Sequence, residues 1–112
     1  MSCRKSIIYF SGPGEKNTEE TFAAVKARAE ELSITDIVIA STRGGTGLAA
    51  VDAFPGFNVV IVPHVTGLRD PGIQTMSEDM QAKIRKKGGT IVIASHAFLG
   101  VDRAVQTKFD TV

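Results

Sequence analysis

Apolar positions along this chain fall into two alternating patterns. Four short β-branched runs, "SIIYF" (Ser6–Phe10), "DIVIAS" (Asp36–Ser41), "NVVIVP" (Asn58–Pro63) and "TIVIAS" (Thr90–Ser95), are nearly continuous in apolar character. Runs of that length and composition predict strands buried on both faces. Between them, apolar residues recur at helical spacing. Asn17 or Thr18 supplies a cap, Glu19 and Glu20 occupy a first turn, and Phe22, Val25, Ala29 and Leu32 follow on one face. Thr75 and Glu78 read as a capping box ahead of the stripe Met76, Met80 and Ile84, whose methionines are expected core contacts. A shorter helix is predicted over Leu48–Phe54, stopped by Pro55 and Gly56, and a last one over Val101–Phe109.

Strand–helix alternation of this kind predicts an α/β fold: a three-layer open parallel sheet, Rossmann-like, with helices on both faces. At 112 residues, without internal repeats or low-complexity linkers, the chain reads as one domain over residues 1–112. The longest irregular stretch, about residues 64–74, contains Gly67, Asp70, Pro71 and Gly72 and reads as a surface loop. Loops of that length in compact domains are more often functional than short ones.

Charge removes one class of partner. A net charge of +1 lacks the basic excess of a nucleic-acid binder. The cluster Lys83, Arg85, Lys86 and Lys87 closes a predicted helix, where cations complement the helix dipole. Cys3 is the only cysteine, so no intrachain disulfide and no cysteine metal site is expected. The opening "MSCRKSIIYFSGPG" has too short an apolar run for a signal peptide, and a membrane span needs about 20 apolar residues. No membrane partner is expected, and the cytoplasm is the default location.

In open α/β sheets ligands bind beyond the carboxyl ends of the strands. That rule selects "SGPGEKN" (Ser11–Asn17), "STRGGTG" (Ser41–Gly47), "PHVTG" (Pro63–Gly67) and "SHAFLG" (Ser95–Gly100). All four are rich in glycine, hydroxyls or histidine. The second holds Ser41, Thr42, Arg43, Gly44, Gly45, Thr46 and Gly47, with hydroxyl donors, a guanidinium and glycines ahead of a helix. A glycine-rich turn feeding a helix exposes unpaired N–H groups at the positive end of the helix dipole, where phosphate is the natural guest. Arg43 adds a bidentate cation. The stretch matches neither G-x-x-x-x-G-K-[ST] nor G-x-G-x-x-G, so a nucleotide triphosphatase is not indicated. A plain βα turn that needs glycines for its geometry is the competing reading.

Ser11 and Gly12 begin a turn in which Pro13 removes a donor, so that loop packs against a ligand or simply feeds a helix. His64 and His96 each follow a predicted strand and are candidate phosphate partners or acid–base groups. No carboxylate ends a strand, and two histidines without a third ligand make a poor metal site. No nucleophile elbow or Ser-His-Asp order is evident.

The segments "IYFSGPGEKNTEETFAAVKARAEEL", "IVIASTRGGTGLAAV", "VVIVPHVTGLRDPG" and "GTIVIASHAFLGVDRAV" together resemble the pyruvate kinase alpha/beta-domain family. Its members are stand-alone archaeal and bacterial proteins similar to the C-terminal domain of pyruvate kinase. The resemblance covers nearly the whole chain, in order. It implies a domain without catalytic residues that holds a phosphorylated ligand on a hydroxyl- and glycine-rich turn, here Ser41–Thr46. It also implies flavin mononucleotide as one such ligand, and no kinase activity. Family members usually continue past "KFDTV" with a further glycine-rich segment, so contacts from that part are not expected here.

Two functional classes follow. One is a small-molecule binding domain for a phosphate ester, flavin mononucleotide or another, with site residues Ser11, Gly12, Ser41, Thr42, Arg43, Gly44, Gly45, Thr46, His64, Thr66, Gly67, Ser95 and His96. Leu68, Phe98 and Leu99 are the expected apolar walls for a flat ring. The other is a ligand-free interaction module that assembles through a sheet edge. Four strands leave an edge uncovered in either case, so a homo-oligomer is expected. No reaction is assigned.

Overall fold

The computed structural model describes residues 2–111. The chain divides into two compact units, Met1–Ile34 and Thr35–Val112.

In the first unit the expected strand at Ser6–Phe10 does not form, and residues 2–10 carry no regular structure. A strand needs a neighbour for its main-chain N–H and C=O groups, and this unit contains no second strand. Tyr9 is 87% exposed. A 3-10 turn at Glu15–Asn17 leads into helix α1, Thr18–Glu31. Asn17 is the N-cap residue, but its side chain does not cap; its Nδ2 donates to the carbonyl of Gly12 at 2.7 Å. Near the end of α1, Glu31 pairs with Lys5 and, at 2.6 Å, with Arg28. The Lys5 ammonium and then the Arg28 guanidinium hold the Glu31 carboxyl below its usual range.

The second unit is an α/β, Rossmann-like fold built on a three-stranded parallel sheet. Strands β1 (Asp36–Ala40), β2 (Asn58–Val62) and β3 (Thr90–Ile91) lie in the order β1-β2-β3. Helices α2 (Gly45–Ala53), α3 (Glu78–Lys86) and α4 (Leu99–Phe109) alternate with them. The fourth predicted run is cut to two paired residues. Val92 N still donates to the Ile61 carbonyl at 3.0 Å, but β2 ends at Val62 and leaves residues 93–95 nothing to pair with.

Helix packing builds the core of this unit. Helix α2 packs on β1 and β2, and α3 packs on β3 and on α2. Between them lie Ile37, Ala50, Phe54, Val59, Ile61, Met76 and Ile84, all buried. Full burial of one such side chain is worth about 1.5–3 kcal/mol, so this layer carries the unit. The alternate positions of the strands face away. Val38, opposite Val60 in the register, is 67% exposed. Within this unit, α2 and α3 cover one face of the strands.

Two helix starts also differ. The apolar pattern places the second helix at Leu48, whereas the glycine turn itself forms its first turn from Gly45. The capping box of Thr75 with Glu78 is replaced by Ser77, whose Oγ accepts the Met80 N–H at 3.3 Å. Met76 is buried and its N–H is bound by Gln74 Oε1 at 3.1 Å, which fixes that stretch as loop. The last helix starts at Leu99, two residues ahead of the pattern.

Register is pinned at the strand starts. Asp36 and Asn58 are partners, and Asn58 Nδ2 donates to Asp36 Oδ1 at 2.7 Å while Thr35 Oγ1 donates to Oδ2 at 3.0 Å. These bonds, Asn58's first, hold the Asp36 carboxyl below its usual range. A lowered carboxyl adds stability that is present above the unfolded-chain value and lost as pH falls through the folded one. Carboxyl NMR is expected to show Asp36 titrating below an ordinary aspartate, and Asn58→Ala to raise its midpoint. An unchanged midpoint in Asn58→Ala would contradict this pinning.

Candidate functional site

The turn from β1 into α2 is built by hydrogen bonds and close packing. Ser41 continues the β1–β2 ladder, its N–H donating to the Val62 carbonyl at 3.1 Å. Its buried Oγ accepts the Gly47 N–H at 3.0 Å and so satisfies one of the first free donors of α2. Gly44 takes a left-handed conformation (φ 97°), and its carbonyl accepts the first helical bond from Leu48 N at 2.8 Å. A Cβ on Gly44 would stand 2.2 Å from Met80 Cγ, and one on Gly47 would stand 2.8 Å from Ile61 Cγ2. Both glycines are therefore required by the fold.

Gly45 is different. Its φ is ordinary, and a Cβ there would meet nothing within 4 Å. It is exposed, as are Arg43 and Thr46. The N–H groups of Gly45 and Thr46 are the first two of α2 and have no intrahelical acceptor. The first turn of α2 carries no acidic residue, in contrast to α3, which has Ser77 as a side-chain cap and Glu78 and Asp79 behind it. Arg43 has no ion-pair partner among the described residues. The positive end of α2 is thus left open beside a free guanidinium.

Thr42 Oγ1 and His64 Nε2 are 3.2 Å apart, tying the end of β1 to the segment after β2. The His64 Nδ1 atom is buried and has no hydrogen-bond partner. From His64 the network runs on through Gln74. Its Nε2 donates to the His64 carbonyl at 2.9 Å and to Thr66 Oγ1 at 3.2 Å. Two further main-chain bonds close the loop on itself: Gly67 N to the Ile73 carbonyl and Ile73 N to the Asp70 carbonyl. The irregular stretch is therefore ordered by its own polar groups.

Thr66, Gly67 and Ser95 border a cavity of about 300 Å³, together with Leu68, Leu99 and Arg103. Arg103 Nη2 donates to the Leu68 carbonyl at 3.2 Å and so holds the 64–74 loop against α4.

The predicted site residues thus fall into three groups, with His96 apart from them. Ser41, Thr42, Gly44, Gly45, Thr46 and His64 share one hydrogen-bonded turn, with Arg43 beside it. Thr66, Gly67 and Ser95 meet at the cavity, where Leu68 and Leu99 also lie. Ser11 and Gly12 belong to the first unit. His96 is exposed and makes no side-chain hydrogen bond among the described residues, and Phe98 is 73% exposed and outside the cavity lining. Sequence reasoning missed Gln74 and Arg103. Arg103 was within reach, because a cation one turn into a helix follows directly from "SHAFLGVDR". Gln74 gave no signal, since nothing in a loop sequence marks which amide turns inward.

Among the described residues no group of three or more His, Cys, Asp or Glu side chains could hold a metal ion. None of their helices is long and apolar enough to cross a membrane. No family model matches the sequence.

The two adjacent glycines give a direct test of this account. Gly44→Ala is expected to lower stability by more than about 1 kcal/mol, through its positive φ and the Met80 contact. Gly45→Ala is expected to be neutral or to stabilise by up to about 1 kcal/mol, as alanine replaces glycine in a helix. Urea unfolding of both variants checks this, and equal losses would refute it.

Proposed function

We propose that this chain is a small-molecule binding domain that holds a phosphorylated ligand at the amino end of α2. The observation that carries the reading is Gly45. Gly44 and Gly47 are explained by backbone conformation and packing, whereas nothing in the fold requires a missing side chain at Gly45. A bare, exposed main chain at an uncapped helix start is what a close-approaching anion needs. The Gly45 and Thr46 N–H groups and the Thr46 hydroxyl are the donors, and Arg43 is the cation. Ser41 is committed to the turn itself, so it shapes the site instead of contacting the ligand. Thr42 is held by His64, and His64 is a positioning residue.

The resemblance to the pyruvate kinase alpha/beta-domain family is in keeping with the same reading, since it implies a ligand turn similar to Ser41–Thr46. It makes flavin mononucleotide one candidate ester. Of the three walls expected for a flavin ring, Leu68 and Leu99 lie together and Phe98 stands in solvent. The reading therefore rests on the phosphate and not on the ring. A second reading, a homo-oligomerising module without a ligand, is favoured by the exposed sheet position Val38.

Hydrogen bonds to a charged group are worth about 1.5–3 kcal/mol, so loss of one weakens binding about tenfold or more. Thr46→Val is expected to reduce phosphate-ester affinity by at least that factor. Gly45→Leu is expected to abolish binding without lowering the unfolding midpoint. Calorimetric titration with flavin mononucleotide, riboflavin and inorganic phosphate checks both. Riboflavin binding as tight as that of its phosphate ester, or unchanged affinity in both variants, would overturn the reading. No binding of any phosphate compound leaves the assembly module as the better account.

A further inference from the structure

The cavity between the 64–74 loop and α4 has a more particular chemistry than two apolar walls. It stands on its own residues and does not depend on the phosphate reading. Its lining contains one cation, Arg103, and no aspartate or glutamate. Each polar side chain in the lining, Thr66, Ser95 and Arg103, can donate. Thr66 Oγ1 already accepts the Gln74 N–H, so its own proton is available to a guest. Ser95 has no side-chain partner among the described residues and offers a second hydroxyl. The Gly100 N–H is the second of α4, whose first helical bond runs from Asp102 N to the Phe98 carbonyl, so it has no intrahelical acceptor. Arg103 spends one Nη2 proton on the Leu68 carbonyl and one Nη1 proton on Gln106 Oε1 at 3.4 Å, which leaves the Nε–H, a second proton on each Nη and the charge.

A guest complementary to this lining carries acceptors and negative charge at one end. Val65, Leu68 and Leu99 form the remaining surface and suit an apolar body. A volume of about 300 Å³ lies at the small end of ligand pockets. We propose that this cavity is a binding site for a small organic carboxylate with an apolar body, its carboxylate held by Arg103, the Thr66 and Ser95 hydroxyls and the Gly100 N–H. The site is separate from the α2 turn, and the Gln74 amide is the hydrogen-bonded bridge between them.

Benzoate, with its neutral counterpart benzamide, probes this directly by amide NMR on the full chain. Saturable shifts centred on Gly67, Leu68 and Gly100 are expected with benzoate, and at least tenfold weaker binding with benzamide. Arg103→Gln is expected to reduce benzoate affinity at least tenfold. Because Arg103 also holds the loop, Gly100→Leu supplies a second variant. A Cβ at Gly100 meets nothing within 4 Å, so leucine there adds bulk at a lining residue of the cavity without a clash. Gly45→Leu is expected to leave benzoate binding unchanged. Equal affinity for benzamide, full affinity in both Arg103→Gln and Gly100→Leu, or shifts centred on Gly45 and Thr46 would overturn the proposal.

Discussion

The bond from the Gly47 N–H to the buried Ser41 hydroxyl holds the structure's central turn. It joins the last ladder position of β1 to the first turn of α2, and it forms only if the chain reverses sharply between them. Gly44 permits that reversal through its left-handed backbone, and Met80 of α3 closes against the bare Cα. Gly47 then lets α2 settle on Ile61 at the centre of the sheet. Helix, sheet and α3 are thus referred to one seven-residue segment. A side chain at either glycine would push apart layers that pack at close range.

The same turn produces the proposed site as a consequence of the fold. Because Ser41 bonds only to the third N–H of α2, the two before it remain open to solvent. Arg43, one residue before the N-cap Gly44, is exposed. The Thr42–His64 contact then couples this opening to the loop after β2, and Gln74 carries the network to Thr66 and the cavity. A rigid scaffold presenting polar loops at strand ends is the general way that α/β sheets support binding.

Much of this was legible in the sequence, for identifiable reasons. The runs at 36–41 and 58–63 became strands, because each has a partner of equal length and a start fixed by Asp36 and Asn58. The strand ends placed the glycine turn after β1 and His64 and Thr66 after β2, which is where they lie. The run at 6–10 has the same composition but no neighbour within its unit, and composition alone cannot supply one. The apolar pattern set α2 too late, since glycines carry no periodicity although their N–H groups open the helix. A continuous apolar run reports what a strand can bury, and within the second unit α2 and α3 supply the cover for one face. Arg103 and Gln74 act through geometry between distant segments, which spacing does not encode.

The central claim is that the open donors of α2 receive an anion. Titration of the ¹⁵N-labelled protein with inorganic phosphate tests it most directly, because each amide reports for itself. Saturable shifts at the Gly45 and Thr46 amides, absent when sulfate-free chloride of equal ionic strength is added instead, are the predicted result. Shifts that never saturate, or that spread over the surface lysines and spare these two amides, would contradict it.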